Sequence, residues 1–210
     1  QNPNPWWPFA FPQGCLFYAV QNHDYTEFVL PGGRGSCKSS TISIWTIYLL
    51  ITNKDFNALI LRKVSNTLRD SVYTQIKWAI EKLGLYRFFS FTLQPLQIVY
   101  KPTGQTIYFR GGDEPLKIKS IKAPRGYIAL TWFEEVAEFN PSDIETINTE
   151  LALADLASVE RRQQRISKQA KGGDKEAVLE DKALTKLIDL LSAGTFINLS
   201  EHFNEDEIAV

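Results

Sequence analysis

The chain has 210 residues, 44% of them hydrophobic and 22% charged, with a net charge of −1 and two cysteines. This ordinary composition is enough to bury roughly 70% of the surface an unfolded chain exposes, and it excludes disorder, a collagen repeat and a disulfide-stapled miniprotein. The charge is unevenly placed, with 15 Lys plus Arg against 10 acids in residues 1–142 and 8 against 14 in residues 143–210; the first part is therefore the one suited to meet a polyanion or nucleotide.

The longest apolar stretch, Ser43 to Thr52, falls short of the ~18 residues of a bilayer span, and the Pro-rich start lacks the basic-then-apolar layout of a signal peptide. A soluble, unsecreted protein without a membrane partner is expected. Cys15 and Cys37 lack the spacing of a zinc site, which fits a reducing compartment. The chain has no methionine and begins with Gln, so a missing or processed natural start is expected.

In chain order, residues 1–17 hold four prolines among Trp6, Trp7, Phe9 and Phe11 and predict an extended arm. Thr26 to Leu30 predicts a buried strand stopped by Pro31 and Gly32, followed by a helix from about Ser39 that is apolar nearly all round. Ala58 to Leu61 repeats the strand pattern. Asn66 is placed to cap an amphipathic helix carrying Leu68, Val72, Ile76, Ala79 and Ile80, which Gly84 stops. Alternating strand and helix predicts a parallel sheet. Gln97–Lys101 and Thr106–Arg110, joined by Pro102-Thr103-Gly104, predict a hairpin, and Ile128–Phe133 predicts a third buried strand ending in Glu134 and Glu135.

Beyond Pro141 no glycine or proline interrupts Asp143 to Ala170, where Ile144, Ile147, Leu151, Leu156, Val159 and Ile166 form an apolar stripe beside Arg161, Arg162 and Arg165. Gly172-Gly173-Asp174 breaks this helix, and Asp174 caps a second through Leu191, giving a helical hairpin over 143–194. Thr195–Leu199 is a further candidate strand before an acidic end.

Between the first strand and helix lies Gly32-Gly33-Arg34-Gly35-Ser36-Cys37-Lys38-Ser39-Ser40, which matches G-x-x-x-x-G-K-[ST] except that Cys37 replaces the second glycine. Such a loop turns backbone N–H groups toward phosphate oxygens at a helix N-terminus, with Lys38 reaching the β and γ phosphates and Ser39 ligating Mg2+. Cys37 is compatible with this provided its position does not need positive φ. Glu134 is assigned to the magnesium shell and Glu135 to polarising the attacking water, since neighbouring side chains on a strand point oppositely. Arg34 is a candidate for neutralising transition-state charge, and Arg62 for the same role or for touching DNA; a loop anchor and a salt-bridged strand end are their plain alternatives. Lys117, Lys119, Lys122 and Arg125 form a basic run able to follow a phosphate backbone. His23 and His202 are assigned no role.

Gly32 to Ser40, Arg62-Lys63 with Asn66-Thr67-Leu68-Arg69-Asp70-Ser71-Val72-Tyr73, Phe109-Arg110-Gly111-Gly112, Lys117-Ile118-Lys119-Ser120 and Trp132-Phe133-Glu134-Glu135 together resemble the large terminase subunit of tailed phages, in particular the PBSX-related group. The resemblance covers residues 18–141. It implies an α/β, RecA-like (ASCE) P-loop ATPase with a mainly parallel sheet over 18–142, using ATP and Mg2+ to drive double-stranded DNA through a portal in the host cytoplasm, with a small terminase subunit and a ring of copies as partners. An RNase H-like nuclease half normally follows in that family, and none is expected in this sequence. Residues 143–194 instead resemble the helical hairpin of the Obg-like ATPases, so the sequence reads as a chimera joined near Pro141 to Asp143. A packaging-motor ATPase, its turnover impaired by the join, is the leading expectation. A nucleotide-binding scaffold whose hairpin engages a ribosomal or protein partner, and an inert fusion, are the alternatives.

Overall fold

The computed structural model describes residues 27–30, 37–114, 117–118, 120–193, 202–204 and 206–207. The N-terminal arm, Cys15, His23, Gly32 to Ser36 with Arg34, and Thr195–Leu199 lie outside the described residues. The chain divides into two compact units, one of Gln1–Glu114 with Lys122–Phe139 and one of Pro115–Ile121 with Asn140–Val210.

The first unit is α/β. It carries α1 (Lys38–Thr52), β1 (Phe56–Arg62), α2 (Thr74–Lys82), β2 (Phe89–Leu93), β3 (Leu96–Tyr100), β4 (Thr106–Gly111) and β5 (Tyr127–Phe133). The sheet order is β2-β3-β4-β1-β5. β1 runs parallel to β4 and β5, while β2, β3 and β4 are joined as an antiparallel meander. β1 lies between β4 and β5, and Phe56 to Leu61 are all buried, as a strand covered on both faces requires. Ile44, Ile47 and Leu50 of α1 and Val72, Ile76 and Ile80 on or beside α2 pack in one cluster with Ala58, Ile60, Ile107 and Phe109 of the sheet.

Asn57 is wholly buried in β1, and its side chain stitches three strands together. Its Nδ2 donates to the carbonyls of Arg125 (2.7 Å) and Tyr127 (3.2 Å), and its Oδ1 accepts from the Thr106 N–H at 2.9 Å. The β1–β5 register shifts at this residue. α1 is rich in β-branched residues, whose helix propensity is low, so burial holds it. The hydroxyls that this buries, Ser43 and Thr46, bond back to the carbonyls of Ser39 and Ile42 at 2.6 and 2.8 Å.

Three local expectations are corrected. Glu27 to Leu30 forms no strand; the segment alternates between exposed and half-buried residues, with Val29 82% exposed, so it has no two-sided apolar burial. β5 is half-buried rather than buried, because it is the outer strand of the described sheet. Asn66 is not a helix cap. It lies within a 3₁₀ turn (Ser65–Thr67), and a π-helical turn (Arg69–Tyr73) precedes α2, where the Thr74 hydroxyl bonds to the Arg69 carbonyl five residues back at 2.8 Å. The helix does stop at Gly84, whose φ of +68° suits a residue without Cβ.

The second unit is a helical hairpin of α3 (Pro141–Ala170) and α4 (Lys175–Ser192). Asn140 and Asp143 form a reciprocal capping box at the start of α3, with Pro141 at its first turn. Asp174 accepts from the Glu176 and Ala177 N–H groups at the start of α4. Ile147, Ile166, Ala177 and Ala183 are buried along the seam, and Leu184, Leu187, Ile188 and Leu191 are half-buried. Arg162 holds Glu180 through two hydrogen bonds of 2.6 and 3.1 Å across it.

Candidate functional site

The start of α1 and the turn after β5 meet at the carboxyl ends of the parallel strands, where open α/β sheets bind ligands. Lys38 is the first residue of α1 and Ser39 the second. The Ser39 hydroxyl donates to Glu134 Oε1 at 3.2 Å, joining residues 95 positions apart. The turn itself is anchored by the Glu134 N–H, which donates to the Leu61 carbonyl of β1 at 2.8 Å.

No acid lies in the first turn of α1, and among the described residues the N-cap Cys37 makes no side-chain capping bond. The positive end of the helix dipole at this N-terminus favours an anion. Cys37, at the N-cap, has φ +58° and ψ +12° and is exposed. The condition attached to Cys37 in the sequence therefore fails: this position takes the left-handed conformation that a glycine there would adopt freely. Burdening a residue with Cβ in this way costs about 1–2 kcal/mol. Glu135 has φ +54°, and these two are the non-glycine residues with positive φ among those described. Both flank the Ser39–Glu134 contact, a clustering of strain common at functional sites.

Glu134 and Glu135 lie beyond the end of β5, so strand alternation does not separate them; the left-handed backbone of Glu135 does. Glu134 is half-buried and Glu135 exposed. Burial raises the Glu134 pKa above the ordinary carboxylate value, and the Glu135 charge adds to this, while hydrogen bonds from Ser39 and Trp132 and the Arg62 charge act against it.

Ser39 Oγ and Glu134 Oε1 are two hard oxygen donors. Their 3.2 Å separation is near the about 2.9 Å edge of an octahedron with magnesium–oxygen bonds of ~2.0–2.1 Å. The residues therefore fit a magnesium ion whose remaining ligands come from phosphate and water. No group of three or more His, Cys, Asp or Glu side chains able to hold a metal occurs among the described residues.

Arg62, ending β1, pairs with Glu138 at 3.7 Å, and its buried Nε has no hydrogen-bond partner. Of its readings, the geometry therefore gives a salt-bridged strand end. Ser40 accepts a 3.4 Å hydrogen bond from Gln75. Arg125 of the basic run is paired with Asp55 at 2.9 Å. The sequence reading missed Glu138 and Asp113. Asp113 accepts from the Ser65 N–H at 3.3 Å, closing the loops after β1 and β4 on one another. Its signal was the neighbouring Gly111, where an added Cβ would lie 2.8 Å from the Ser65 nitrogen.

An α/β unit with a lysine and a serine opening a helix beside an acid after a parallel strand is the arrangement of a P-loop nucleotide-binding fold. Comparison with known proteins narrows this class. Residues 24–167, more than half of the chain, match the phage terminase large subunit family, and the chain belongs to it. It is 40% identical over 142 residues to the terminase large subunit of Bacillus phage SPP1, covering 67% of this chain and 33% of that protein. Identity to the PBSX phage terminase large subunit of Bacillus subtilis strain 168 is 36% over 119 residues, 57% of this chain and 26% of the relative. A second similarity, 61% over 55 residues, is to the ribosome-binding ATPase YchF of Haemophilus influenzae, covering 26% of this chain and 15% of that protein. Two families represented in one chain fit a chimera. The chain spans a third or less of the length of each of these relatives. No described helix is long and apolar enough to cross a membrane.

Proposed function

We propose that this chain is the ATP-hydrolysing core of a DNA-packaging motor, coupling Mg-ATP hydrolysis to movement of double-stranded DNA, with the portal, the small terminase subunit and further copies of the chain as partners in the host cytoplasm. The observation that carries this reading is the Ser39–Glu134 hydrogen bond at the N-terminus of α1. The family supports the motor assignment in general terms.

In this reading the N–H groups of Gly32, Gly33, Arg34, Gly35, Ser36 and Cys37 surround the phosphates, assisted by Ser40 at the helix start. Lys38 places its ammonium against the β and γ oxygens, which lowers the cost of charge developing on the leaving phosphate. Ser39 and Glu134 would hold magnesium, which would supply positive charge against the phosphates. Glu135, exposed beside them, orients a water for in-line attack on the γ phosphorus. The new phosphorus–oxygen bond forms as the bond to the β-phosphate oxygen breaks, ADP departs, and the proton of water leaves through Glu135. Arg34 is assigned in this reading to neutralising transition-state charge.

The test is steady-state phosphate release with and without duplex DNA. Wild type hydrolyses ATP faster with DNA present, and Glu135→Gln retains nucleotide binding while turnover falls by ~10²-fold or more. Equal turnover in the two proteins rejects the assignment of Glu135, and absence of DNA stimulation rejects the coupling.

A further inference from the structure

The sheet of the α/β unit ends in a strand that the nucleotide site does not use. β2 pairs with β3 on one side, and its opposite edge has no strand partner among the described residues. Natural edge strands are blunted by charge, proline, a bulge or extreme shortness. β2 has none of these. Phe89-Ser90-Phe91-Thr92-Leu93 is uncharged, of ordinary strand length and in unbroken register with β3. Such an edge offers alternate backbone N–H and C=O groups to another chain.

A trough runs beside this edge, lined by Phe91 and Leu93 of β2, by Arg69, Asp70 and Tyr73 of the π turn and by Lys77 of α2. Apolar surface is presented there: Leu93 is 49% exposed, and Tyr86, 47% exposed, stacks on Phe91 with ring centroids 4.8 Å apart. The Lys77 ammonium lies 5.7 and 5.8 Å from the centroids of these two rings. Arg69 is exposed, and no carboxylate pairs with either cation among the described residues. Against the two cations the trough holds one acid, Asp70. Positive charge alone would suit any polyanion. A strand edge and an apolar wall beside it select a polypeptide, which brings main-chain partners for the edge and side chains for the wall.

We propose that the outer edge of β2 and its trough are a docking site for an extended acidic segment of a partner protein, added to the sheet as a further strand. The spacing defines the segment. Arg69 and Lys77 are eight residues apart, roughly 12 Å along a helix, with Tyr73 midway between them. Side chains on one face of an added strand recur every ~6.7 Å, so residues i and i+4 lie about 13 Å apart. Acids at i and i+4 therefore meet Arg69 and Lys77, and an apolar residue at i+2 meets the aromatic wall between them. The pattern recognised is acid-x-apolar-x-acid.

The experiment measures fluorescence anisotropy of the labelled peptide Ser-Thr-Glu-Thr-Phe-Thr-Glu-Thr-Ser with the full chain at about 50 mM salt. ATP and magnesium are left out, so the result does not depend on the nucleotide site. Wild type binds this peptide saturably, and the same peptide with lysine for both glutamates binds at least about tenfold more weakly. Arg69→Glu melts as wild type does, loses about tenfold or more in affinity for the acidic peptide and gains affinity for the lysine peptide. Arg69→Gln gives a smaller loss in the same direction. Lys82→Glu, the same charge change at the exposed end of α2 outside the trough, shifts either affinity by less than about threefold. Methylating the amide nitrogens of alternate peptide residues abolishes binding for one alternate set and spares it for the other, as strand addition requires. No binding of the acidic peptide, equal affinity for the two peptides, equal losses in the Arg69 and Lys82 variants, or tolerance of methylation in both sets would overturn the proposal. Self-association that Arg69→Glu abolishes would overturn it in favour of a second copy at this edge, and displacement of the peptide by duplex DNA in favour of a nucleic acid.

Discussion

The two units begin their helices in opposite ways. In the hairpin, both N-termini are closed by side chains, α3 by the Asn140–Asp143 box and α4 by Asp174. In the α/β unit, the N-cap Cys37 of α1 makes no side-chain capping bond and sits at positive φ, and no acid lies in the first turn. A side-chain cap satisfies N–H groups at a helix start, and the hairpin helices use one where Cys37 of α1 does not. The difference extends to how each unit is held. The hairpin rests on neighbours in sequence and a narrow apolar seam; the site rests on a contact 95 residues long, supported by a strand buried along nearly its whole length.

If that contrast is right, truncation at the centre of β1 is the most damaging change. Ile60 is fully buried, and Ile60→Ala should cost about 2–5 kcal/mol in urea denaturation. Arg162→Ala, removing the half-exposed pair across the hairpin, should cost no more than about 1 kcal/mol. Equal costs would erase the distinction between the two units.

Relieving the strain at Cys37 sharpens it further. Cys37→Gly removes the Cβ from a left-handed residue but loosens the unfolded chain, for a net gain of about 1 kcal/mol or less. It should also tighten ATP binding if loop strain opposes closure around phosphate. In the unaltered protein, Cys37 is exposed; maleimide labelling followed by peptide mapping should find it modified readily, and more slowly once Mg-ATP is added. A labelling rate indifferent to ATP would separate Cys37 from the site.

The smallest expected effect concerns Glu134. Burial raises its pKa from 4.5, so the folded state holds this proton more tightly than the unfolded state. The stability it contributes is present below pH 4.5 and is lost as pH rises through the raised value. Glu134→Gln keeps an acceptor for Ser39 and does not titrate. In EDTA, its melting temperature relative to wild type should therefore increase from pH 4 to 7, by the equivalent of less than about 1 kcal/mol because the group is half-exposed. A gap that narrows with rising pH would contradict the burial of this carboxylate.

Much of this architecture was legible because its signals are local. Pro102-Thr103-Gly104 marked the β3–β4 hairpin, Gly84 the end of α2, and Asp174 the start of α4. Lys38, Ser39, Glu134 and Glu135 could be singled out from motif spacing alone. What escaped depends on distant partners. β2 was hidden in the aromatic run after Tyr86, and it becomes a strand through pairing with β3. The π turn before α2 and the exposed segment at 27–30 reflect where hydroxyls and strands find partners, which periodicity does not encode. Glu138 gave no signal because its meaning lies in Arg62, at the end of another strand.

The central claim, that the N-terminal end of α1 and Glu134 form a Mg-ATP site, is tested most directly by calorimetric titration of ATP into wild type and Lys38→Ala, each with and without magnesium. The account predicts saturable one-site binding by wild type that weakens at least about tenfold without magnesium, and binding lost in Lys38→Ala although the variant melts as wild type does. ATP binding that is indifferent both to magnesium and to Lys38 would contradict it.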